Sequence, residues 1–98
     1  MKLEVGMFVR TDRGKIWLVT STKAIDGHKH RIVDANYNIL KLIQVGDYVN
    51  GGQVVEKTNE YIRINGGKSL WEYLEKEQDV KSIVTKEQFE SMSYKVDN

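Results

Sequence analysis

The residues with the clearest capacity for chemistry fall into a basic group and an aromatic group. The basic group contains Lys23, His28, Lys29, His30 and Arg31, the densest cluster of cationic side chains in the chain. Charge of this kind attracts phosphate or the acidic surface of a partner protein. We therefore predict binding residues in this segment, namely Lys29, His30 and Arg31.

His28 and His30 are the only histidines in the chain. Positions i and i+2 of a strand share a face, which is how a pair of metal ligands would begin. Further ligands would have to come from Asp26, Asp34 or elsewhere, and no metal-binding motif supplies them. We therefore expect two solvent-exposed histidines beside the turn at Asp26 and no metal site.

The aromatic group surrounds Arg63. This arginine lies between Ile62 and Ile64 in a predicted strand, so its side chain faces away from theirs. A guanidinium flanked by Tyr61 and Trp71 can stack on a base or clamp a phosphate, and exposed aromatic residues suit a binding surface. We predict Tyr61, Arg63 and Trp71 as binding residues; a plain solvent-facing role for Arg63 is the alternative.

The sequence contains no motif for a catalytic nucleophile. There is no Gly-x-Ser-x-Gly, and no serine lies near a histidine with a recognisable orienting acid. The glycine pairs at residues 51–52 and 66–67 are typical of hairpin turns, not of a phosphate-binding loop. The simplest interpretation of the acidic residues Glu72, Glu75, Glu77 and Asp79 is a solvated face. We expect a protein that is not an enzyme and needs no cofactor.

Composition narrows the class of protein further. The formal net charge is +1, which disfavours nucleic-acid binding, although residues 1–49 carry eight Lys/Arg against five Asp/Glu and residues 50–98 carry seven against nine. The absence of cysteine excludes disulfide scaffolds and thiol catalysis. No stretch approaches the ~20 apolar residues of a membrane span, and the first residues lack the apolar core of a signal peptide. We expect a cytoplasmic protein that does not enter membranes.

Turn signals recur at short intervals along the chain. Runs rich in Val, Ile, Tyr, Trp and Thr lie between them. This spacing predicts a single domain over residues 1–98 that is mainly β, a small SH3-like, partly open antiparallel barrel or sandwich. The turns are centred on Asp12-Arg13-Gly14, Asp26-Gly27, Asn50-Gly51-Gly52 and Asn65-Gly66-Gly67.

Three segments carry more specific predictions. Residues 16–21 have apolar side chains on both faces, which favours a central strand, and residues 38–44 allow one helical turn. Residues 69–78 fit either a helix or a strand, and we favour a strand that pairs with residues 80–85. Thr85 and Gln88 match a capping box, which predicts one short C-terminal helix.

Two similar stretches, "VGMFV" at Val5–Val9 and "VGDYV" at Val45–Val49, each open a predicted hairpin. Two units in so short a chain must share a core, so we interpret the repeat as a feature of the fold and not as a duplicated site. Gly6 and Gly46 then mark bends at the strand entries. We expect four valines to face one shared core, namely Val5, Val9, Val45 and Val49.

Three blocks of the chain support a resemblance. They are "EVGMFVRTDRGKI" near the N-terminus, "LIQVGDYVNGGQVVE" at Leu42–Glu56, and "VKSIVTKEQFESMSYKV" at Val80–Val96. In this order they resemble a family of small proteins in phages and prophages of Gram-positive bacteria, with "VGMYVRT", "LIEVGDYVNG" and "IKSIVTxEQFE" blocks. The resemblance implies a small β-barrel and a phage origin. It carries no catalytic motif.

Small phage proteins without catalytic residues are often counter-defence factors, an argument from analogy. We therefore expect an anti-CRISPR that inhibits a host CRISPR effector by direct protein binding. One alternative is a sponge that sequesters a nucleotide immune signal, and another is a nucleic-acid-binding barrel in phage transcription or replication. The sequence leaves open whether the protein is a homodimer.

Overall fold

The computed structural model describes residues 2–21, 23, 31–66 and 71–92. Within them, eight strands form two curled antiparallel sheets, and one short α-helix follows. The prediction of a mainly β, small barrel-like fold with one C-terminal helix is confirmed. No helix in these ranges is long and apolar enough to cross a membrane. The strands are β1 (Phe8–Thr11), β2 (Ile16–Leu18), β3 (Ile32–Asn36), β4 (Tyr48–Val49), β5 (Gly52–Lys57), β6 (Ile62–Asn65), β7 (Glu72–Leu74) and β8 (Ile83–Val84).

The smaller sheet has the strand order β2-β1-β3. Gly14, at φ +82°, closes the turn between β1 and β2, as the sequence predicted. The prediction that the second strand is central is wrong, because β3 pairs with the far side of β1 and leaves β2 at the edge. Leu18, at the end of β2, is accordingly exposed. The small core of this sheet forms around Val9 and Val19.

The larger sheet has the strand order β7-β6-β5-β4-β8. Asn50 and Gly51 both have positive φ, 53° and 83°, which is the backbone of the two-residue turn that joins β4 to β5. The main core lies on the inner face of this sheet. Its buried members are Leu40, Ile43, Val49, Val54, Ile62, Ile64 and Leu74.

Residues 69–78, for which the sequence allowed either a helix or a strand, contain the strand β7. β7 confirms this part of the prediction, but it pairs with β6 and not with residues 80–85. β8 pairs instead with β4. Asn50 holds the chain before β8 in this position, because its side-chain amide donates to the Asp79 carbonyl oxygen and accepts from the N–H of Lys81.

The helical predictions are confirmed. A single 3-10 turn covers Ile39–Leu42, and the side chain of Asn38 caps it by accepting the N–H of Leu40. The α-helix, α1, covers Lys86–Met92. The Thr85 hydroxyl accepts the N–H of Gln88, and the Gln88 side chain accepts the N–H of Thr85, which is the reciprocal bonding of a capping box.

The two "VG" stretches form the same turn. Gly6 (φ +95°) donates to the carbonyl oxygen of Val19, and Gly46 (φ +100°) donates to that of Val54, each at 2.9 Å. The carbonyl oxygens of Met7 and Asp47 accept the N–H groups of the same two valines, each at 2.8 Å. The repeat is therefore a duplicated strand entry, and the predicted bends at Gly6 and Gly46 are confirmed.

The expectation that four valines face one shared core is wrong. Val9 and Val49 are fully buried, but in separate clusters, one for each sheet. Val5 and Val45 are more than half exposed. Each precedes the positive-φ glycine of its turn, so the alternation of the following strand does not extend back to it.

Candidate functional site

The outer side of β6 and β7 carries a cluster of aromatic residues around Arg63. Ile62 and Ile64 point into the core, so Arg63 between them points outward. Arg63 pairs with Tyr73 across the ladder to β7, which places the phenol ring on the same outer side. The clean alternation of β6 therefore separates the core from this surface.

Arg63 is held by an aromatic ring and a carboxylate. Its guanidinium carbon lies 4.5 Å from the centroid of the Trp71 ring, within the range of a cation–π contact. Its Nη2 lies 3.2 Å from Oε2 of Glu56. These contacts order the Trp71 side chain although it is half exposed to solvent.

Tyr61 connects the same carboxylate to the second exposed ring. Its hydroxyl donates to Oε1 of Glu56 at 2.6 Å, and this hydrogen bond raises the pKa of Tyr61. Its ring meets that of Tyr73 edge to face, with centroids 5.1 Å apart. Glu56 thus anchors both the arginine and the tyrosine of the cluster.

A bulge in β5 directs Glu56 to this position. Val54 pairs with Ile64, but the next paired residue is Glu56, opposite Arg63, so Val55 is the extra residue. The shift leaves Val54 in the core and puts the Glu56 carboxylate on the outer side, next to Arg63. Without it, strict alternation would place Glu56 on the same side as Val54.

We call the cluster of Tyr61, Arg63, Trp71 and Tyr73 the aromatic face. Trp71 is 49% exposed and Tyr73 is 53% exposed. Large aromatic side chains that stay exposed yet ordered are typical of the centres of binding surfaces. The structure brings together the predicted residues Tyr61, Arg63 and Trp71, and it adds Tyr73, which the sequence showed only as one of nine aromatic residues.

Of the predicted basic binding residues, the structure describes Arg31. Arg31 directly precedes β3 of the smaller sheet, and its carbonyl oxygen accepts the N–H of Asp12 beside the turn after β1. The aromatic face lies on the larger sheet. Lys29 and His30, like His28, lie outside the described residues.

A buried ionic cluster escaped the sequence analysis. Arg10 is fully buried in β1 and makes a bidentate pair with Asp47, at 2.5 and 2.9 Å. It also donates to the Leu42 carbonyl oxygen and, at 2.9 Å, to Oε2 of Glu87 at the start of α1. One sequence feature could have indicated this cluster. The second "VG" stretch has Asp47 at the position where the first has the apolar Met7.

Asp47 has all the partners that a buried carboxylate needs. Besides Arg10 it accepts the backbone N–H groups of Gln44 and Lys86. Burial alone would raise its pKa, but the hydrogen bond from Arg10 and those backbone donors outweigh burial and lower the pKa of Asp47. Burial likewise opposes the charge of Arg10, yet Asp47 raises its pKa overall. The two terminal nitrogens of Arg10 are bonded, whereas its buried Nε has no hydrogen-bond partner. The cluster connects β1 to the turn before β4 and to α1, which is a structural role.

A pair of adjoining cavities lies between the smaller sheet and the chain before α1. They share Ile39 and Val80 and have volumes of about 290 and 400 Å³. Phe8, Ile16 and Ile83 supply much of the remaining wall. These walls are mostly apolar and place no cluster of catalytic groups around the space.

Two findings limit what else the described chain can be assigned. In the described ranges, no group of three or more His, Asp or Glu side chains is arranged to hold a metal ion. Comparisons with protein-family models, curated proteins and solved structures found no significant match.

Proposed function

We propose that this protein is a non-enzymatic binding protein that contacts a partner protein through the aromatic face. The supporting observation is the pair of half-exposed rings of Trp71 and Tyr73, each held by a neighbouring side chain on one side of the larger sheet. Removing such rings from water gives a large favourable contribution at little entropic cost, because few torsions need to be fixed.

The surroundings of the aromatic face favour a protein partner over a nucleic acid. Glu56 already neutralises Arg63, and Glu72 and Glu75 lie within two residues of Tyr73 in the sequence. Carboxylates at this density repel a phosphate backbone. A protein surface rich in Lys or Arg meets no such repulsion.

The resemblance to small phage and prophage proteins suggests the class of protein to which the partner belongs. We propose that the chain acts in the cytoplasm of a Gram-positive host as a counter-defence protein, and that it inhibits a CRISPR effector by direct binding. CRISPR effectors expose basic channels for nucleic acid, so an acidic and aromatic surface is of the right character to occupy one.

A phage-plating assay tests this proposal. The gene is expressed in a Gram-positive host whose CRISPR system targets a phage, and plaques are counted. We expect the wild type and the Tyr37→Ala variant to restore plaques, and the Trp71→Ala/Tyr73→Ala variant to fail. Tyr37 is the control because it is also 53% exposed but directly follows β3, on the smaller sheet's side of the molecule. Restoration by the double variant, or none by the wild type in any CRISPR host, would reject the proposal.

A nucleotide sponge is the second candidate, and the contact between Arg63 and Trp71 favours it. An arginine stacked on an indole can take part in binding a base and a phosphate. A thermal-shift screen with cyclic nucleotides tests this candidate. A rise in melting temperature that disappears in Trp71→Ala would support it, and the absence of a shift with every nucleotide would exclude it.

A further inference from the structure

β7 lies at one edge of the larger sheet, and among the described residues only β6 pairs with it. The direction in which the backbone N–H and C=O groups of β7 point follows from the hydrogen bonds that Val54 of β5 makes. Val54 donates to the Asp47 carbonyl oxygen at 2.8 Å and accepts from Gly46 at 2.9 Å, so its polar backbone groups face β4. Ile64 is the residue of β6 opposite Val54, and the two therefore form a non-hydrogen-bonded pair. The N–H and C=O of Ile64 consequently point toward β7.

This alternation leaves the backbone N–H and C=O of Tyr73 without a strand partner among the described residues. Ile64 pairs with Glu72 and Ile62 pairs with Leu74, and these are the hydrogen-bonded pairs of the ladder. Tyr73 lies between them, so its N–H and C=O point away from β6 toward the edge. An extended segment placed along β7 can pair with both groups and continue the sheet.

The charge beside this edge selects the kind of segment. Residues 71–79 contain four carboxylates against the single cation of Lys76. Pairing of two copies along β7 would bring two such acidic stretches together, which is how natural proteins discourage edge-to-edge association. A segment rich in Lys or Arg is attracted instead. The carboxylates are Glu72, Glu75, Glu77 and Asp79.

The chain itself shows how a cation is accommodated on this side of the sheet. The Arg63 guanidinium stacks on Trp71 and pairs with Glu56, so an aromatic ring and a carboxylate share one cation. Glu75 directly follows β7, two residues after Tyr73, so a carboxylate lies close to this ring along the chain. Tyr73 and Glu75 offer the same combination of groups to a cation from outside.

We propose that β7 docks an extended, basic segment of the partner protein by strand addition. The segment hydrogen-bonds to the N–H and C=O of Tyr73, and its Lys or Arg side chains lie over Trp71 and Tyr73. This inference rests on the proposed function, because it names the part of the partner that the aromatic face receives.

Fluorescence anisotropy with a labelled synthetic peptide, in which arginine alternates with valine, tests the inference. One control peptide has glutamate for arginine, and another carries N-methyl groups that block one backbone edge. We expect binding by the arginine peptide alone, together with slower hydrogen exchange at the Tyr73 amide. Equal binding by either control peptide, or no binding by the arginine peptide at millimolar concentration, would overturn the inference.

Two variants at one position separate backbone pairing from ring contact. Tyr73→Ala and Tyr73→Pro both lose the ring, but only the proline variant also loses the outward N–H. Proline is tolerated on an edge strand where its missing N–H would face outward, and circular dichroism checks the fold. We expect about tenfold weaker peptide binding by Tyr73→Pro than by Tyr73→Ala, the effect of one lost hydrogen bond. Equal binding would contradict strand addition.

The outcomes distinguish this inference from the proposed function. If the arginine peptide fails while the aromatic face remains essential for phage plating, strand addition is wrong and the proposed function stands. If light scattering shows a dimer that Tyr73→Pro dissociates, the occupant of β7 is a second copy, and the basic segment is excluded.

Discussion

Arg10 is the residue whose burial most needs explanation, because an isolated buried charge is very costly. Its guanidinium is matched by two oxygens of Asp47, by Glu87 and by the Leu42 carbonyl. Such a cluster contributes little stability compared with an apolar equivalent, but it is damaged severely by the loss of one member. The effect of a substitution therefore depends on what it leaves unpaired.

We expect Asp47→Ala to lower the free energy of unfolding by about 3–5 kcal/mol, because it leaves Arg10 buried without its main partner. Urea denaturation measures the change. Glu87→Gln is the milder control, since the Glu87 side chain is 30% exposed. Arg10→Met/Asp47→Leu should recover only part of the loss, because the N–H groups of Gln44 and Lys86 still lose their acceptor. A stable Asp47→Ala protein would contradict this role.

The ion pair of Arg10 and Asp47 also makes the stability of the fold depend on pH. The pKa of Asp47 is lowered in the folded state, so its contribution is present above the ordinary pKa of an aspartate, about 4. The contribution is lost as pH falls through that value toward the folded pKa. We expect the urea midpoint of the wild type to drop below about pH 4, and the drop to be smaller in Arg10→Met/Asp47→Leu. Parallel pH profiles would show that Asp47 is not responsible.

At the scale of elements, the duplicated turns explain which valines support the fold. The sequence predicted the glycine bends correctly because the need for positive φ is local to one residue. It placed Val5 and Val45 in the core wrongly because strand alternation was extended through the turn. Where the alternation starts depends on where pairing starts, which a periodic pattern does not show.

Matched pairs of substitutions test this distinction. We expect Val9→Asp and Val49→Asp to unfold the protein, because each places a charge in an apolar core cluster. Val5→Asp and Val45→Asp should change stability by no more than about 0.5 kcal/mol, as is usual at exposed positions. Circular dichroism melts of all four variants decide the point, and unfolding by Val5→Asp or Val45→Asp would contradict the turn assignment.

Strand partners were harder to predict than strands. The alternation around Trp71 and Tyr73 indicated β7, but the choice of β6 as its neighbour depends on the bulge at Val55 and on the shared core. β8 pairs with β4 because Asn50 holds the preceding chain. By contrast, the capping box of Thr85 and Gln88 was predictable since its groups lie within one turn.

At the scale of the molecule, two sheets with separate core clusters are joined by the buried Arg10 cluster. Its partners lie 37 and 77 residues away along the chain, so no local pattern could reveal them. The aromatic face was partly predictable. Tyr61 and Arg63 are two residues apart, whereas the closeness of Trp71 depends on β7 folding back onto β6.

The two sides of the larger sheet differ in character. The larger sheet buries aliphatic residues on one side and carries the aromatic rings of Tyr61 and Tyr73 on the other. Under the proposed function, the aromatic side of this sheet contacts the partner protein. Loss of one such ring at the centre of an interface typically costs about 2 kcal/mol or more, which is more than tenfold in affinity.

The most direct measurement is quantitative affinity purification with purified CRISPR effectors from Gram-positive hosts as the candidate partners. The wild type and Tyr37→Ala are expected to retain the effector equally. Trp71→Ala/Tyr73→Ala, folded by circular dichroism, is expected to retain it at least about tenfold less. Retention by the double variant at the wild-type level would contradict binding through the aromatic face.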